Sequence, residues 1–211
     1  MLETLIKFFV MFFVVVEPIS LVPLYAALTQ GATPEYKRRM ARKAVLLAGL
    51  ILVFFALVGG ALLHAMSISL GAFRIFGGLM LFLIALDMVY VRESGARTTT
   101  SREEAEVKQR EDISVFPLAF PFIAGPGALA TVLLVTGDVP RVSLLFAGMM
   151  AVVVAVLAIT YMLMLLTPGV MRVLGLTGAN VVSRLTGVIL GALAVQFVID
   201  GVRGSLDRAG G

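Results

Sequence analysis

The chain has 211 residues, of which 60% are hydrophobic and 14% charged, and its mean hydropathy is +1.04. A soluble domain is nearer half apolar and a quarter charged, so this composition indicates an integral membrane protein. The net charge of +4 does not point to nucleic acid, because the basic residues cluster beside apolar runs as headgroup anchors do, and the lack of cysteine together with a single histidine, His64, excludes disulfides and thiolate or multi-histidine metal sites.

Six apolar stretches are long enough to cross a bilayer as helices, at 5–29, 44–64, 71–91, 115–136, 142–166 and 183–203. The first begins like a signal peptide, with Lys7 before an apolar run. That run outlasts a normal signal core and no clean cleavage motif follows, so it reads as a retained span. Within it, Glu17 lies about ten residues from either end of F-F-V-M-F-F-V-V-V-E-P-I-S-L-V-P-L-Y-A-A-L. That is roughly 15 Å deep, near the midplane of a hydrocarbon core about 30 Å thick. A carboxylate at this depth is costly unless it is paired, protonated or facing a wet cavity. Pro18 and Pro23 remove two backbone donors beside it, and Ser20 adds a hydroxyl. Lipid does not tolerate such a break, whereas a cavity inside protein does, and the freed N–H groups of a second half-helix can hold an anion. The structural alternative is a proline kink patched by neighbouring helices. Glu17 itself reads as an acceptor for a substrate ammonium, as a proton carrier created by desolvation, or as a buried structural carboxylate.

The second span is preceded by T-P-E-Y, with Thr33 as N-cap and Pro34 at the first helical position, and its helix extends outside the membrane through Lys37, Arg38, Arg39, Arg42 and Lys43. After the third span comes a charged linker, 92–113, where Ser101-Arg102-Glu103-Glu104 has capping-box form. The fourth span, like the first, is interrupted: P-F-I-A-G-P-G-A-L-A at 121–130, with Pro117 upstream. Gly125, Pro126 and Gly127 would let backbone approach a ligand closely, the alternative being tight helix packing through small residues. Thr160 and Tyr161 in the fifth span are cavity candidates. In the sixth, Gln196 could bond across helices, and Gly187-x-x-x-Gly191 is a close-packing motif. Spans three and six share Arg-x-x-Gly, as Arg74/Gly77 and Arg184/Gly187, and each ends near an aspartate, Asp87 and Asp200. These four read as snorkelling residues or as a gate or ion pair between spans.

Of the 17 lysines and arginines, twelve fall in the loops after spans one, three and five, namely Lys37, Arg38, Arg39, Arg42, Lys43, Arg92, Arg97, Arg102, Lys108, Arg110, Arg172 and Arg184. Lys7, Arg74, Arg141, Arg203 and Arg208 lie on the other side. The positive-inside rule then puts both termini outside and the loops 30–43 and 92–113 in the cytoplasm of a multi-pass cell-membrane protein. Three spans on either side of the linker suggest two halves, 1–91 and 114–211. An odd number per half makes any repeat inverted, and paired interrupted segments in inverted halves point to a transporter site. No P-loop, H-E-x-x-H, G-x-S-x-G or dinucleotide fingerprint occurs, and no nucleophile–base set falls within the spans, so no catalytic residue, metal or cofactor is expected.

At these residues the chain resembles a known family. E-P-I-S-L-V-P-L-Y-A-A-L-T (17–29) looks like the first signature of the MarC family of six-span membrane proteins, and P-L-A-F-P-F-I-A-G-P-G-A-L-A-T-V (117–132) like its second. R-L-T-G-V-I-L-G-A-L-A-V-Q-F-V-I-D-G-V (184–202) is similar to the family's last span, so the likeness covers essentially the whole chain. It departs at Glu17, where a shorter Asp or Asn is usual, and at Ser20, where Gly is usual. The resemblance implies an all-α fold related to LysE-type exporters, with two inverted three-helix repeats and interrupted helices one and four. It also implies a carrier of small neutral amino acids such as glycine and alanine, driven by a proton gradient. On that reading Glu17, Pro18, Ser20, Pro23, Gly125, Pro126 and Gly127 line the substrate site, and Glu17 carries the coupling proton. The expected partners are a small-molecule substrate, protons, membrane lipid and a second copy in a homodimer, with no nucleic acid. Rival readings are an exporter of other small metabolites or drugs, a channel, and a non-transporting membrane protein.

Overall fold

A computed structural model describes residues 1–90, 112–137 and 139–209, and every regular element among them is helical. Most of the linker 92–113, with its capping-box sequence, lies outside the described residues. The helices are α1 (Leu2–Val16), α2 (Pro18–Leu28), α3 (Pro34–Ala65), α4 (Leu70–Tyr90), α5 (Ser114–Ile123), α6 (Pro126–Thr136), α7 (Leu144–Leu165) and α8 (Thr167–Ala209). Five stretches are long and apolar enough to cross a membrane, and α5 with α6, bent by 55° at their junction, makes a sixth.

Local chemistry sets the boundaries. Glu17 closes the last turn of α1, its N–H donating to the Phe13 carbonyl at 2.9 Å. Its backbone is left-handed (φ 53°, ψ 58°), so the helix cannot continue through it, and Pro18 restarts the chain as the first residue of α2. Pro23, expected to widen the break, instead lies inside α2, where it withholds the N–H that would bond the carbonyl of Ile19. Thr33 caps α3 by accepting from the Tyr36 N–H at 3.2 Å, and Ser143 caps α7 by accepting from Phe146 at 3.1 Å. At 32 residues α3 is about 48 Å long, which exceeds a bilayer core and carries its basic first turns beyond it.

The second irregular segment bends between α5 and α6, at Ala124–Gly125, and is irregular upstream of that as well. The backbone departs from helix at Phe116 and Phe120, both extended, whereas Gly125 is an ordinary N-cap and Pro126 opens α6. The cause is the residue that follows each phenylalanine: Pro117 and Pro121 push the preceding residue out of helical backbone, and both Phe–Pro bonds are cis. Gly127 is therefore already helical. The last helix also starts earlier than 183. It runs from Thr167 through a break at Gly175 (φ 60°, ψ −175°), and its apolar part spans Thr177–Leu206.

The buried face of α3 is rich in small residues (Ala41, Ala44, Ala48, Ala56, Gly59), and α3 packs on α5, α6 and α7. Its opposite face exposes Leu46, Leu50, Phe54 and Leu57 to what would be lipid. Helices α4 and α8 run antiparallel along their length: Gly71 lies against Gly201 and Ser205, and Gly187 against Ala85 and Met88. Midway, a Cβ on Gly78 would stand 2.7 Å from the Ala194 carbonyl, so the two backbones touch. The glycines of the Gly187/Gly191 motif pack within this chain. At the end where the basic turns of α3 emerge, Lys43 pairs with Asp112, whose other oxygen accepts from the Ser114 N–H at 2.9 Å. The lysine bond, aided by Ser114, pulls the Asp112 carboxyl down from 3.8 to about 2.

Candidate functional site

The two breaks meet in the interior. Glu17 is 5% exposed, and its Oε1 accepts two hydroxyl hydrogen bonds. One comes from Ser20, in the first turn of α2, and is short. The other comes from Ser183 of α8 at 2.8 Å. A carboxylate withdrawn from water needs such donors, and here they arrive from both its own break and a distant helix. A glutamate in left-handed backbone stores about 1–3 kcal/mol of strain, which the surrounding packing must over-determine.

Two residues before Glu17, Val15 faces the second break. A small cavity of about 10 Å³, room for one water, is enclosed by Val15, Ile84, Phe122 and the 125–128 turn, with Pro121 on its rim. Gly125 is required here, because a Cβ would sit 2.2 Å from the Pro121 carbonyl. A Cβ on Gly127 would strike Leu81 at 2.6 Å and reach Val15 at 3.5 Å. The cavity thus combines apolar walls with the start of α6, whose first N–H groups have no partner within their own helix. Glu17 is adjacent to this cavity in sequence through Val15; among the described residues it does not itself line it.

Pro18, Ser20, Gly125, Pro126 and Gly127 all fall within these two breaks, while Pro23 sits a turn further along α2. Ser183, Val15 and Ile84 are additions that the sequence did not single out. Nothing local marks Ser183, which lies 166 residues from its partner. Thr160 turns inward but donates to the Val156 carbonyl of its own helix at 2.8 Å. Gln196, expected to bond across helices, donates to Asp200 four residues on in α8, because i,i+4 side chains are neighbours on one helix face.

The four charged residues of spans three and six fall at two levels of the α4–α8 seam. Arg74 lies against Gly201, beside Asp200, at one end. Arg184 lies a turn from Gly187, which packs on Met88, the neighbour of Asp87, at the other. The described residues contain no cluster of His, Cys, Asp and Glu able to hold a metal ion.

The comparisons with known proteins agree with one another. A family model described as "MarC family integral membrane protein" matches residues 2–206. A UPF0056 membrane protein of Aquifex aeolicus (strain VF5) is 35% identical over 206 residues, covering 96% of this chain and 94% of its own. The UPF0056 membrane protein YvbG of Bacillus subtilis (strain 168) is 34% identical over 204 residues, with 97% and 96% covered. The corresponding values for YhcE of Escherichia coli (strain K12) are 32% over 198 residues, with 94% and 91% covered. No solved structure matches. With its full-length family match and its helices of membrane-spanning length, this chain belongs to the MarC family of integral membrane proteins.

Proposed function

We propose that the protein is a secondary carrier of small neutral amino acids, coupled to protons, working by alternating access at the two helix breaks. The observation that carries this reading is the buried Glu17, held by Ser20 and Ser183, two residues along the chain from Val15, which lines a small cavity at the start of α6. A zwitterion needs opposite charges at its two ends. Glu17 supplies the negative one, and the α6 N-terminus, with its positive dipole end, supplies the other. At the α6 end, Val15 and Ile84 leave space for little more than a methyl group. The cavity has room for about one water, so an amino acid enters only if the two breaks part.

The inverted repeat is part of the same proposal. Helices α2 and α6 are both 11 residues long and both open on proline. Packing of α7 on α1 and α2 is mirrored by packing of α3 on α5 and α6, and α2 on α8 by α6 on α4. Inverted halves that meet at broken helices are a common carrier plan. The basic turns of α3 then mark the cytoplasmic side, and the two Arg/Asp levels of the α4–α8 seam become gates at opposite membrane faces.

Purified protein in liposomes should take up labelled alanine or glycine with saturation, at rates that respond to an imposed pH gradient. Flux that rises without saturation would indicate a channel instead. Retention of gradient coupling in Glu17→Gln would remove the proton role.

A further inference from the structure

We propose that Glu17, Ser20 and Ser183 form a three-oxygen cradle for a primary ammonium group, so that the site selects unsubstituted amines over N-methylated ones. This rests on the carrier reading and specifies how its substrate's amine is recognised. The hydroxyls behave differently from others in the membrane helices. Thr29, Thr131, Thr136, Thr160 and Ser205 each donate to the carbonyl four residues back on their own helix. Ser20 and Ser183 turn instead to one carboxylate oxygen from two different helices. A hydroxyl that donates to Oε1 still carries two lone pairs, while the carboxylate keeps further acceptor capacity. Three oxygens from two segments, the first break and α8, therefore converge, each able to accept.

A primary ammonium has three N–H donors and no acceptor, which matches that set. Each of its bonds is charge-assisted. Replacing one N–H by N–CH₃ removes a bond and turns a methyl toward a serine oxygen. The expected loss is roughly tenfold in affinity for the first methyl and more for each further one. The predicted ligand class is thus zwitterions with a free –NH₃⁺ and a small side chain. N-methylglycine and trimethylglycine are the discriminating probes.

The test is equilibrium binding to the detergent-purified full chain, read by calorimetry and run alongside uptake in liposomes. Wild type should bind glycine about tenfold more tightly than N-methylglycine and should not measurably bind trimethylglycine. Ser183→Ala should weaken glycine about tenfold while changing N-methylglycine less than about twofold, collapsing the ratio, and in uptake should raise KM rather than lower Vmax. Ser183→Thr, which keeps the hydroxyl, should restore the ratio. Equal binding of glycine and N-methylglycine by wild type overturns the cradle, as does an unchanged ratio in Ser183→Ala. Glycine that is bound with this selectivity but never transported sinks the carrier reading and supports the cradle. Absence of glycine binding overturns both.

Discussion

The two interrupted segments solve the same problem with opposite means. The first break offers a side chain: Glu17 is locked in left-handed backbone, with its charge buried and bonded by hydroxyls. The second offers backbone: Gly125 and Pro126 carry no polar side chain, but they begin a helix at the wall of the cavity. A symmetric pair of carboxylates would have repelled each other and a substrate's acidic end. On the proposed reading the difference gives the site two unlike poles, which suits a dipolar ligand.

Breaking the first pole should have the largest effect. Glu17→Gln keeps the shape and one acceptor but loses the charge, and uptake of alanine is expected to fall roughly hundredfold, with a smaller effect on thermal stability because the amide oxygen can still accept from Ser20 and Ser183. Breaking the second pole should act through folding as well. Gly125→Ala forces a Cβ against the Pro121 carbonyl, and a loss of about 1–3 kcal/mol is expected in thermal or denaturant unfolding in detergent, with transport reduced in step. A smaller effect sharpens the comparison by probing the wall between the poles. Ile84→Ala should widen the cavity and raise uptake of valine relative to alanine about three- to tenfold, measured by competition against labelled alanine.

The smallest effect lies outside both breaks. The Asp112 carboxyl, held at about 2 mainly by Lys43, lies below its unfolded value of about 3.9. Its contribution is therefore fully present above about pH 4 and is lost as pH falls through about 2. Both partners are more than a third exposed, so Asp112→Asn should cost less than about 1 kcal/mol at pH 7, and the difference from wild type should vanish at low pH.

Much of this was legible in the sequence. Apolar runs give the spans because lipid demands about twenty such residues. Glu17 stood out because a mid-span carboxylate has a known cost, and Pro34 was read as a helix start, where α3 begins. In the fourth span the 55° bend falls between Ile123 and Pro126, inside the 121–130 stretch singled out in the sequence, and the residues before Pro117 and Pro121 depart from helix upstream of it. Ser183 was invisible. Its role depends on how α8 lies against the first break, and helix packing partners cannot be read from one helix's own periodicity. Gly175 likewise gives no hint from composition that helix continues on both sides of it.

The most direct measurement is an experimental structure with alanine bound. The ammonium should lie within hydrogen-bonding distance of Glu17 Oε1, Ser20 and Ser183, with the carboxylate at the α6 N-terminus and the methyl toward Val15 and Ile84. Alanine bound elsewhere, or in the reverse orientation, in a preparation that transports it would contradict the two-pole site.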